Sequence, residues 1–171
     1  PYTVRHYQEK VDGSYDEANP EATDALTGAA NKAAFVPRKN YPGFVFDRQE
    51  PASPTITANG STVVKVYYKR KTVTVTFKPA GGTIAGNASD KTVSAKFGAP
   101  LAAPAPARTG YTFKRWNPAV PQNVPAENAT YAAEWTAHTY TVRFDASGAT
   151  GSMADQAFTY GQEQALRPNA F

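Results

Sequence analysis

Apolar and polar residues alternate in three short stretches of this chain: Tyr2-Thr3-Val4-Arg5-His6-Tyr7, Val73-Thr74-Val75-Thr76-Phe77-Lys78 and Tyr140-Thr141-Val142-Arg143-Phe144-Asp145. A period of two is the signature of a strand with one face buried. It points Tyr2, Val4 and His6 inward, matching Val73, Val75 and Phe77, then Tyr140, Val142 and Phe144. Further landmarks follow in a fixed order. A second strand ends on glycine at Leu26-Thr27-Gly28, Lys96-Phe97-Gly98 and Thr159-Tyr160-Gly161. A third strand opens at Pro42-Gly43-Phe44-Val45-Phe46 and again at Thr109-Gly110-Tyr111-Thr112-Phe113. A closing strand reads Val63-Val64-Lys65-Val66-Tyr67-Tyr68 and then Thr130-Tyr131-Ala132-Ala133-Glu134-Trp135. Recurrence of the landmarks in one order is the mark of internal repeats, here residues 1–70, 71–137 and a partial copy at 138–171.

The order within each repeat is strand, strand, connector, strand, loop, strand. Gly28-Ala29-Ala30-Asn31-Lys32-Ala33-Ala34-Phe35 is apolar enough for a turn or two of helix before Pro37, and Pro104 and Pro106 limit its counterpart to about one turn. The pattern predicts an α+β, strand-dominated fold of tandem small β-grasp-like modules, each a four-stranded sheet with one short helix or helical turn. The expected core is Val4, Leu26, Phe35, Phe44, Phe46, Val64, Val66 and Tyr68 in the first repeat. In the second it is Val73, Val75, Phe77, Val93, Leu101, Phe113, Trp116, Tyr131 and Trp135. Strict alternation cannot bring both Phe113 and Trp116 inside, so Gly110-Tyr111-Thr112-Phe113-Lys114-Arg115-Trp116 calls for a bulge.

Composition narrows the chemistry. Of 171 residues none is cysteine, which excludes disulfides, zinc–thiolate sites and thiol nucleophiles. No apolar run reaches the ~20 residues of a membrane span, and no targeting segment is visible. The opening in mid-pattern reads as a fragment of something longer. The formal charge of +4 is spread out; its only run, Lys69-Arg70-Lys71, reads as a solvated linker and not as a nucleic-acid footprint.

The second repeat resembles the internalin-type B-repeat, or Listeria–Bacteroides repeat. The residues that carry the likeness are Gly81-Gly82, Phe97-Gly98-Ala99-Pro100, Arg108-Thr109-Gly110-Tyr111-Thr112-Phe113, Trp116, Pro125-Ala126 and Tyr131-Ala132-Ala133-Glu134-Trp135. Phe144-Asp145, Gly148 and Tyr160-Gly161 resemble the start of another copy. That family usually places glycine between the third-strand Phe and Trp, where this chain has Arg115. The first repeat, with its Tyr-Thr-Val-x-His-Tyr opening and Val-Tyr-Tyr-Lys-Arg close, resembles MucBP-type, mucin-binding-like repeats. The resemblance implies a non-enzymatic repeat region of a bacterial cell-surface protein, extracellular, acting as stalk, spacer or adhesion-associated module. The alternative it implies is a host-ligand binding module, for a mucin-type glycan or host surface protein, within 1–70.

Candidate chemistry is sparse. His6 fills the slot of Phe77 and Phe144 and reads as a core residue, while His138 lies at a repeat junction and reads as solvated. The acidic stretch Asp12-Gly13-Ser14-Tyr15-Asp16-Glu17 lacks the ligand order of an EF-hand loop. No catalytic, metal or cofactor residues are expected. Tyr7 and Tyr67 on the outward strand phase, with Tyr15 in the loop between them, are the candidate surface for stacking glycan rings. Neighbouring repeats of the same chain are the other expected partners.

Overall fold

The computed structural model describes all 171 residues and contains twelve strands and no helix. The first repeat holds β1 (Tyr2–Gln8), β2 (Ala22–Leu26), β3 (Phe44–Glu50) and β4 (Val63–Arg70) in one sheet of order β2-β1-β4-β3. β1 pairs with β4 in parallel, and β2 and β3 flank that pair antiparallel. The second repeat has β5 (Thr72–Lys78), β7 (Lys91–Lys96), β9 (Tyr111–Asn117) and β10 (Ala129–Ala137), in the matching order β7-β5-β10-β9. A small pair, β6 (Thr83–Ile84) with β8 (Pro106–Ala107), is added to it. β11 (Thr139–Val142) and β12 (Gln156–Thr159) make a third, two-stranded sheet. By internal contacts the chain divides into two compact units. One is Pro1–Val75 with Val93–Ala102 and Pro121–Ala129; the other is Thr76–Thr92, Ala103–Val120 and Thr130–Phe171.

The absence of any helix corrects the α+β expectation: the molecule is all-β, built of tandem small modules. The connector that was to be helical makes a single turn at residues 29–32 and then runs extended, because another loop satisfies its backbone. The Asn31 amide donates to the Ile56 carbonyl, the Ile56 amide to Lys32, and the Ala34 amide to Pro54. The second repeat repeats the arrangement with Gly98 and Leu101 donating to Val124 and Gln122, and Val124 donating to Ala99. Buried amides and carbonyls must be paired, and strand-like crosslinks serve where Pro37, Pro104 and Pro106 obstruct helical ones.

That crosslinking carries a residue into each core that alternation did not reveal. Ile56 is 3% exposed and Val124 1%. Ile56 joins Tyr2, Val4, Val64, Val66 and Tyr68 in a single buried cluster, with Leu26, Ala34, Val36, Tyr41 and Phe44 packed around it. Two expected core residues lie outside: Phe35 is 72% exposed and Phe46 44%. With the connector extended, Ala34 and Val36 face the sheet and Phe35 between them turns away. Phe46 instead lies under the Arg38 guanidinium, 3.7 Å from its ring centroid. In the second repeat Phe77 packs against Trp116 and Tyr131, and Trp135 against Phe113, while the Trp135 indole N–H donates to the Pro79 carbonyl.

The bulge is present. Glu134 pairs with Arg115 but Trp135 with Phe113, so Lys114 is the extra residue, and Phe113 and Trp116 both turn inward. Arg115 points out and donates to Glu134 at 2.7 Å. The first repeat has its bulge at Asp47, between Phe46 and Arg48.

His6 is fully buried beside the Tyr68 ring. Its Nε2 lies 3.0 Å from the Asp24 carboxylate and its Nδ1 3.0 Å from the Tyr68 hydroxyl. Tyr68 accepts from the Lys39 amide, and the Lys39 ammonium returns to Asp24 at 2.7 Å. The loop of donors closes with a neutral imidazole that carries its proton on Nε2 and accepts from Tyr68. Burial pushes the His6 pKa below 6.5 in spite of the Asp24 hydrogen bond and charge.

Two predictions follow from this core. Ile56→Ala costs about 2–5 kcal/mol in urea unfolding, whereas Phe35→Ala stays within about 0.5 kcal/mol; the reverse ranking would contradict the core drawn here. Because the unfolded chain takes up the His6 proton first, its contribution is complete above about pH 6.5 and declines as pH falls through the lower folded-state pKa. Melting curves between about pH 7.5 and 5.5 should show that loss in the wild type and a smaller one in His6→Phe. Equal losses would mean that His6 does not titrate as described.

Candidate functional site

Two arrangements deserve comparison. The first contains the tyrosines expected to grip glycan. Tyr7 and Tyr67 are neighbours across the parallel β1–β4 pair, stacked at 5.4 Å, and Tyr15 meets Tyr67 edge-on at 4.9 Å. The three therefore do cluster. Their faces are not open, however: Tyr7 and Tyr67 are buried although they lie on the outward strand phase, because the β1–β2 loop folds over that side of the sheet. Tyr15 and Glu17 come from that loop. Arg48, the residue after the β3 bulge, lies 4.0 Å from the Tyr67 ring centroid. The Tyr67 hydroxyl donates to Glu17 at 2.7 Å. Burial, the Glu17 hydrogen bond and the Glu17 and Glu50 charges raise the Tyr67 pKa well above its ordinary value. Glu17 also pairs with Lys65, and only Tyr15 keeps part of its surface in solvent.

The second arrangement occurs twice, where one repeat passes into the next. β4 and β5 are separated by Lys71 alone, and β10 and β11 by His138 alone. The Lys71 amide donates to the Gly43 carbonyl, and the Lys71 carbonyl accepts from the Phe97 amide; both bonds are 2.9 Å. Sixty-seven positions on, the His138 amide donates to Gly110 and the His138 carbonyl accepts from Tyr160, at 2.9 and 2.8 Å. In each case the ring of the latter residue lies against the glycine. A Cβ on Gly43 would stand 2.2 Å from the Phe97 ring, and one on Gly110 2.3 Å from the Tyr160 ring. Both glycines have positive φ, +80° and +76°, so a side chain is excluded by backbone and by space alike. The same ring then meets the residue after the glycine edge-on: Phe44–Phe97 at 5.5 Å and 84°, Tyr111–Tyr160 at 5.5 Å and 83°. Such pairs contribute about 0.5–1.5 kcal/mol beyond their burial.

The first joint carries charge as well. Glu9, almost buried, accepts from the Arg70 amide at 2.8 Å and from the Lys96 ammonium at 2.6 Å. Arg70 donates to the carbonyls of Glu9 and Phe97, both at 2.8 Å. Burial works against the Glu9 charge, but the Lys96 and Arg70 hydrogen bonds and charges outweigh it and hold the pKa below the usual glutamate value. Lys71 pairs with Glu127. Lys69-Arg70-Lys71 is thus no free linker: Lys69 pairs with Asp47 at 3.3 Å, and the other two belong to the joint. At the second joint His138 contacts Thr112 at 3.0 Å and Tyr140 at 3.3 Å.

Gly43, Gly110, Phe97 and Tyr160 were all legible as landmarks, but their meeting was not. The available signal was that an aromatic precedes the strand-end glycine in the second and third repeats, where the first has Thr27. Glu9 and Lys96 gave none.

Residues 74–133 match the family model of the Listeria–Bacteroides repeat domain, just over a third of the chain and most of its second repeat. No curated protein matches the chain. Among solved structures, Streptococcal High Identity Repeats in Tandem (SHIRT) domains 3–4 from a cell surface protein are 15% identical. That match covers 79% of this chain and 97% of the other with a TM-score of 0.27, too loose to bear on the fold. The second repeat is therefore similar in sequence to a Listeria–Bacteroides repeat domain over residues 74–133.

Proposed function

We propose that this chain is a non-enzymatic repeat region of a bacterial cell-surface protein, in which repeats 1–70, 71–137 and 138–171 follow one another as a stalk or spacer. The observation that carries the reading is the recurring joint. A one-residue connector, hydrogen-bonded on both sides and backed by an aromatic ring on a side-chain-free turn, leaves little torsional freedom between consecutive repeats. A spacer needs that property, since freely jointed links lose reach as their number grows, whereas stiff ones add length in proportion. The match of 74–133 to a family defined by repetition supports the same reading.

The second reading, recognition of a mucin-type glycan or host surface protein within 1–70, is favoured by the clustering of Tyr7, Tyr15 and Tyr67. In this geometry Tyr15 would make the contact, with Tyr7 and Tyr67 supporting it from beneath.

Two experiments separate these readings. Arrays of increasing numbers of the second repeat, measured by small-angle scattering, should show a radius of gyration rising nearly linearly with copy number. Gly110→Ala in every copy should bend that relation toward a square root. Square-root growth in the unaltered array would overturn the stiff spacer. On a glycan array the whole chain should bind nothing through its first repeat; binding abolished by Tyr15→Ala, with the fold intact by circular dichroism, would establish the second reading instead.

A further inference from the structure

The two joints differ in what surrounds the packed ring. At the first, Glu9, Arg70 and Lys96 occupy that space. The sequence period puts Ala80, Ala137 and Thr159 at the corresponding positions of the second. In place of the three charged side chains there is an open groove of about 630 Å³, lined by Gly81-Gly82, Thr83, Arg108, Thr109 and the rings of Tyr111 and Tyr160. The residue equivalent to Arg108 in the first repeat is Tyr41, which packs inward on Tyr68. Arg108 instead lies over Tyr111, its guanidinium carbon 3.8 Å from the ring centroid. One of its amino groups donates a long bond of 3.3 Å to the Ala80 carbonyl, much as Arg70 caps the Glu9 carbonyl. No Asp or Glu lines the groove, and Arg108 forms no ion pair within its compact unit. Tyr160 is 40% exposed there.

We propose that this groove binds an acidic sugar residue of a glycan, whose carboxylate pairs with Arg108. A guanidinium presents a planar fork of donors that matches a carboxylate two bonds at a time. Stacking on Tyr111 holds the fork in position, which reduces what must be immobilised on binding. The Tyr160 ring offers an apolar face for the C–H side of a pyranose, and the Thr83 and Thr109 hydroxyls supply partners for its hydroxyls. The volume lies within the ordinary range for small-ligand sites, roughly 300–1,000 Å³. An acidic peptide would satisfy Arg108 equally well but has no ring to lay on the tyrosine, so the sugar fits the groove better. This site lies where the second repeat meets the third and does not depend on the spacer reading.

The test is a titration of the whole chain, followed by amide chemical shifts, with glucuronic acid, glucose, acetate and a glutamate-rich peptide as separate probes. Glucuronic acid should shift Gly81, Gly82, Thr109 and Tyr160 with saturation, and added salt should weaken it; glucose should leave them in place. Arg108→Gln should weaken binding at least about tenfold, with amide positions away from the groove unchanged. Thr109→Glu sets a carboxylate in the groove lining, where it competes with the ligand's own, and should abolish binding with the rest of the amide spectrum unchanged. The proposal is overturned by absence of any shift with glucuronic acid, by equal response to glucose, by acetate reproducing the effect at the same concentration, by tighter binding of the peptide, or by full affinity in either variant.

Discussion

The first repeat rests on the parallel pairing of its first strand with its last, seen in the register of β1 on β4. A parallel pair cannot be joined by a tight hairpin, so the chain between Gln8 and Val63 must travel back across the sheet and cover it on the way. That return path supplies β2 and β3 at the edges and the crosslinked loops that carry Ile56 into the core. It also sets where the chain enters and leaves. Two parallel strands point the same way, so the start of β1 and the end of β4 lie at opposite ends of the sheet. The next repeat can therefore begin after a single residue, and Lys71 is that residue.

Burying the central pair on both sides creates polar obligations. His6 stands where the second repeat has Phe77, and its two nitrogens would be costly to leave without partners. Asp24, Tyr68 and Lys39 satisfy them in a closed circuit, each contributing from a different part of the repeat. Glu9 is handled in the same way: its charge is kept because Lys96 and the Arg70 amide lie against it. A lone buried carboxylate would be protonated or excluded. The first joint thereby gains an ionic element, while the second, with small residues at the same positions, relies on the ring, the glycine, the backbone bonds and the His138 contacts to Thr112 and Tyr140.

The joint shows how little sequence a repeated contact requires. A glycine at positive φ, an aromatic before the strand-end glycine and one connecting residue suffice, and everything else around the contact varies. Phe97 and Tyr160 fill the same role with different edges, and the surrounding space holds three charged side chains in one case and an open groove in the other. Conserving the ring-on-glycine contact lets the remaining surface diverge without loss of the connection.

The amino-acid sequence by itself determined the repeat period, the strand order, the β9 bulge demanded by Phe113 and Trp116, and most of the strand-borne core. These are local properties: alternation, turn glycines and spacing follow from backbone geometry within a few residues. Tertiary structure decided what depends on distant partners. The connector is extended and not helical because Pro54 and Ile56 offer its amides bonds that a short, proline-limited helix could not match. For that reason Phe35 faces solvent and Ile56 does not. Tyr7 and Tyr67 are covered because the loop bearing Tyr15 and Glu17 folds onto the second face of the sheet, which alternation alone assigns to water. The joints and the Arg108 groove arise from residues tens of positions apart, and no local pattern records which long-range neighbour a side chain will meet.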